Sequence, residues 1–116
     1  MQNIDKVSRW LEKQKDDCRL LKTLMRDTGK SKPDRKIATQ RRKFSLAINR
    51  HHDASSEKSV MEWLENLCEG LKTVEIFAEE FRKEHGYDGL EPARIYAVKL
   101  SSRIKSSIKP LAQNFK

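Results

Sequence analysis

Between residues 60 and 81 the chain places an apolar side chain at every third or fourth position. Val60, Leu64, Leu67, Leu71, Val74, Ala78 and Phe81 follow one another without a break. Spacings of four and three keep those side chains on one side of a 3.6-residue helix and scatter them over both faces of a strand. A helix of this kind buries its stripe only against other helices or a sheet, and nothing in this chain alternates as a strand does. The fold must therefore come from helices packing on helices.

Three more segments show the same period. Ile4, Leu11, Cys18 and Met25 recur every seven residues, with Val7 and Leu21 between them and the polar Gln14 interrupting the row. Ile37, Phe44 and Ile48 mark a second helix. Ala93, Ala97, Leu100, Ile104, Ile108, Leu111 and Phe115 mark a fourth. Local signals bound the segments at about 3–27, 34–52, 57–85 and 92–109. Asn3 or Asp5, Asp34, and Ser55 or Ser56 are side chains that cap free amides at helix starts. Gly29 and Gly86 suit left-handed ends, Lys30–Pro33 reads as a linker, and Tyr87-Asp88-Gly89 continues a turn. Pro92 fits a first helical residue, whereas Pro110 is expected to kink or end the last helix. Gly70 lies in mid-helix, where it costs ~1 kcal/mol relative to alanine; a close neighbour or a bend is expected there. The expected fold is all-α: one domain over 1–116, an elongated antiparallel bundle of about four helices.

Composition narrows the function. The 116 residues carry 25 Lys and Arg against 17 Asp and Glu, a formal net charge of +8. The imbalance is blocked. Nine basic residues face five acidic ones over 1–33, and six face two over 34–53. Over 54–92 four face ten, and over 93–116 six face none. Such a chain meets phosphate, an anionic surface or an acidic protein. No apolar run approaches a membrane span, so no membrane partner is expected. Two cysteines make neither a disulfide framework nor a four-cysteine zinc site. Cys18 and Cys68 read as core groups in a reducing, cytoplasmic setting. His51 and His52 point ~100° apart on a helix and make a poor metal pair. No nucleophile, base and orienting acid stand together, so no enzyme, cofactor or metal is expected.

The candidate site is cationic. No acidic residue lies between Asp34 and Asp53, and Arg35, Arg42, Lys43 and Arg50 fall opposite the apolar side of the second helix. Arginine meets phosphate bidentately and lysine meets it as a point charge. Lys99, Arg103 and Lys109 on the fourth helix are expected to extend the phosphate track. The reading is a small basic, non-enzymatic accessory protein that binds nucleic acid, DNA or RNA, mainly through phosphates. The alternative is a protein-interaction module: an adaptor, inhibitor or complex subunit. It would use the acidic third helix (Glu62, Glu65, Glu69, Glu75, Glu79, Glu80) or an apolar patch near Leu46. Leu46, Ile76 and Ile95 fall off their stripes and together suit a partner or homodimer surface.

Overall fold

The computed structural model describes residues 4–31, 35–86 and 89–116, the side chains of 29–31 excepted. Of the described residues, 89% are helical and none is in a strand. Four helices follow in order: α1 (Ile4–Ser31), α2 (Arg35–Ile48), α3 (Glu57–His85) and α4 (Glu91–Ala112), with a 3-10 turn over Gln113–Phe115. The helices form an up-down bundle measuring 52 × 22 × 17 Å. Its radius of gyration of 15.3 Å exceeds the ~13 Å of a compact chain this long, as a ~43 Å third helix requires. Around the bundle each helix packs on two neighbours. α1 packs on α2 and α4, and α3 packs on α2 and α4.

The stripes converge on one core. Val7, Leu11, Cys18, Leu21 and Met25 from α1 meet Ile37, Phe44 and Ile48 from α2. Val60 to Phe81 from α3 and Ala93, Ala97, Leu100, Ile104 and Leu111 from α4 complete it. Trp63, Phe44, Phe77 and Phe81 are buried, while Trp10 is half-buried at the edge.

α3 begins and ends where its local signals lie. Ser56 is its cap, the hydroxyl accepting from the Ser59 amide at 3.2 Å. Gly86 closes it at φ 61°, with its amide on the Arg82 carbonyl at 2.8 Å. The glycine in mid-helix also has its reason. A Cβ on Gly70 would stand 3.2 Å from the Phe44 ring, so α2 comes close there and a side chain, not a backbone, fills the space.

Other ends depart from the local signals. α1 runs through Gly29 to Ser31 instead of stopping at Gly29. Thr28 is buried, and its hydroxyl donates to the Gly89 carbonyl at 2.6 Å. That contact to the turn before α4 anchors the final turns of α1. α2 ends at Ile48 rather than near His52, because the Trp63 indole N–H donates to the Ile48 carbonyl at 3.3 Å. The chain then turns away, and the His52 ring lies on Trp63 with centroids 4.9 Å apart. α4 starts at Glu91 and passes through Pro110 to Ala112 before tightening into the 3-10 turn. Proline there removes one amide donor near the end of the helix, where few bonds remain to lose. The proposed cap at Asn3, the linker residues Lys32 and Pro33, the cap at Asp34, and Tyr87-Asp88 of the turn lie outside the described residues.

Candidate nucleic-acid interface

On α2 the successive residues Arg41, Arg42 and Lys43 part company because each is rotated ~100° from the last. Arg41 turns toward α1, and its Nε donates to the Lys22 carbonyl at 3.1 Å. Arg42 and Lys43 are exposed. Arg35, Arg42 and Leu46 share the side of α2 opposite the buried Phe44, with Thr39 beside them. Lys43 leans toward α3, where it lines a groove with Asn66 and Glu69. Arg35 and Thr39 border a shallower one with Glu80. Arg50 is exposed too, but it stands two residues past the end of α2 and not on the helix as its spacing implied. It therefore extends the cationic face into the loop.

The four cations share one property with Lys13, Lys58 and Lys72 elsewhere on the surface, but they are gathered on or beside one acid-free helix. Among the described residues, Arg35, Arg42, Lys43 and Arg50 make no ion pair within 4.0 Å. Of the other cations described, at least seven are engaged in ion pairs, Arg26 and Arg103 included. Lys36 holds Glu84 at 2.9 Å across the α2–α3 seam. Arg94 holds Glu91 and approaches Glu79 at 3.9 Å. The Arg82 and Arg94 guanidinium groups keep the Glu79 carboxyl below its usual range, and Arg94 does the same for Glu91. On α1, Lys15 pairs with Glu12 and Arg19 with Asp16.

The fourth-helix set divides. Lys99 and Lys109 are exposed and unpaired among the described residues. Arg103 instead bonds Asp17 and donates to Gln14 Oε1 at 3.4 Å. Gln14 is 1% exposed, and its amide donates to the Trp10 carbonyl at 3.3 Å. Arg103 thus ties α4 to α1 and satisfies the polar group that interrupts the α1 stripe. The signal was present in the sequence: a lone glutamine in an apolar row needs a partner. Nor do the two basic helices make one track. Both pack on α1 and α3, so they lie diagonally across the bundle.

Leu46 is 71% exposed in the middle of the cationic face. Ile76 and Ile95 are also exposed, as their positions off the stripes imply, and so are Leu20 and Val98. The sequence pattern did not single out the last two. Cys18 is buried and Cys68 half-buried. Burial, with Asp17 adding to it, pushes the Cys18 thiol up to about 12. Among the described residues no three His, Cys, Asp or Glu side chains gather where a metal ion would sit, and no helix is long and apolar enough to cross a membrane. Comparison with known proteins found no matching family model, curated protein or solved structure.

Proposed function

We propose that this chain is a small basic, non-enzymatic accessory protein that binds nucleic acid through its phosphates, with the outer face of α2 as the contact surface. One observation carries the reading. Arg35, Arg42, Lys43 and Arg50 are exposed on or just beyond a single rigid helix and are free of carboxylate partners among the described residues. A phosphate backbone meeting them displaces water and counterions and breaks no ion pair. From Arg35 to Ile48 the helix spans ~20 Å, which parallels about six phosphates of one duplex strand. The cytoplasmic, reducing setting inferred from the two free thiols belongs to the same proposal.

A second reading, a protein-interaction module, draws support from Leu46. An apolar side chain this exposed among arginines resembles the anchor of a protein interface. Salt dependence separates the two. Four cations on α2 predict a slope of log K against log salt of about −3 to −4 on duplex DNA. Replacing Arg42 and Arg50 together with alanine lowers the slope by about two and weakens all sequences alike. Leu46→Ala changes affinity and leaves the slope alone. Charge by itself yields a Kd of ~10⁻⁴–10⁻⁶ M at physiological salt. If neither duplex nor single-stranded DNA or RNA binds more tightly than that, the phosphate reading fails. Co-purification of a protein partner lost on Leu46→Ala then identifies the module.

A further inference from the structure

The positions of α2 and α4 lead beyond a single contact surface. Each packs on α1 and α3, so the two are diagonal and their outer faces look in roughly opposite directions. Neither stretch carries a carboxylate of its own: none occurs from 35 to 52 or from 92 to 116, and those lining the grooves beside the two faces belong to α3. On α4, Lys99, Ser102, Lys105, Ser106 and Lys109 are exposed. Lys105 shares a groove with Glu65 and Glu69 of α3, which leaves Lys99 and Lys109 as the outermost charges.

One duplex cannot serve both faces. The way over α3 crosses the exposed Glu62, Glu65, Glu69 and Glu80, which repel phosphate. The way over α1 demands a half-turn around a section of 22 × 17 Å. Even at nucleosomal curvature, ~45° per helical turn, a half-turn takes ~40 base pairs. A duplex axis passing around this bundle has room for roughly 20. No protein contact here is extensive enough to offset the excess bending.

We propose, resting on the phosphate-binding reading, that one copy of this chain holds two DNA duplexes at once, the first on α2 and the second on α4, and so bridges them. The α2 face with its arginines is the stronger site. The α4 face, with three lysines against four cations, is the weaker one and has the shallower salt slope.

The experiment uses the full chain, an immobilised duplex and a second, fluorescent duplex at ~0.1 M salt. The immobilised duplex captures protein, and the protein retains the fluorescent duplex. The triple replacement of Lys99, Lys105 and Lys109 with alanine leaves protein capture within about twofold and lowers fluorescent retention by about tenfold or more. All three side chains are exposed, so circular dichroism of the variant matches the parent. Beads that hold protein but no second duplex overturn the bridge and leave the phosphate reading standing. Undiminished retention by the triple variant also overturns it, because bridging then comes from paired copies through their α2 faces. Beads that hold no protein overturn the phosphate reading and the bridge together.

Discussion

Replacing Gly70 with alanine asks whether α2 packs on α3 as closely as the structure has it. In a helix free of neighbours the change stabilises by ~0.8–1.0 kcal/mol, since glycine loses the most backbone entropy on becoming helical. Here the new methyl would lie 3.2 Å from Phe44 Cδ2, 3.4 Å from Cε2 and 3.7 Å from the Ala47 methyl. The Phe44 ring is buried, with one edge on the groove it shares with Gly70 and Ala47, and ring or helix must shift by a few tenths of an ångström to admit the methyl. Inserting a methyl into a packed core costs ~1–3 kcal/mol. Against the propensity gain, Gly70→Ala is expected to destabilise by about 1 kcal/mol. In a Phe44→Leu background the offending ring carbons are gone, and the same change should stabilise by ~0.5–1 kcal/mol. The cycle then shows a coupling of ~1.5–2 kcal/mol, within the range for residues in contact. Urea unfolding followed by circular dichroism reads all four proteins, given equal slopes. A stabilisation of ~1 kcal/mol by Gly70→Ala alone, repeated unchanged in the Phe44→Leu background, would show that α2 does not lie against that part of α3.

Three further outcomes follow from named contacts. Arg103→Ala leaves the buried Gln14 oxygen without its donor and should destabilise by ~1–3 kcal/mol while leaving the salt slope on duplex DNA unchanged; a slope lower by about one with stability intact would return Arg103 to the phosphate set. Thiol labelling of the native protein at neutral pH should be slow at both cysteines and slowest at Cys18, whose thiol is buried and raised to about 12, and fast at both in denaturant; rapid native labelling of Cys18 contradicts its burial. His52 packs on Trp63, and partial burial lowers its pKa from 6.5. The unfolded imidazole therefore takes up a proton before the folded one does, so this contribution is intact above about pH 6.5 and is lost as pH falls through the folded pKa. His52→Gln should flatten the fall in stability between pH 7 and 5 relative to the parent, and parallel pH curves would refute that role.

Periodicity alone determined the helical class and the core of this protein. The α3 stripe from Val60 to Phe81 is buried throughout, and the caps Ser56 and Gly86 stand where short-range hydrogen bonding and backbone freedom place them. Such features are local: a 3.6-residue repeat and a side-chain cap depend on residues within a turn of one another. The acid-free run from Arg35 to His52 was equally legible, and with it the cationic face. Tertiary structure decided what depends on partners distant in the chain. α1 continues past Gly29 because Thr28 meets Gly89, 61 residues away. α2 ends at Ile48 because the Trp63 indole takes its carbonyl, which moves Arg50 off the helix. Arg41 and Arg42 are indistinguishable as letters, yet one is bound to the Lys22 carbonyl and the other is free among the described residues. Arg103 resembles its basic neighbours until Asp17 and Gln14 stand beside it. The order of helices around the bundle, which sets the two basic faces on opposite sides, is a property of packing. An amphipathic pattern records which side of each helix is buried, and nothing in it records which helix lies against that side.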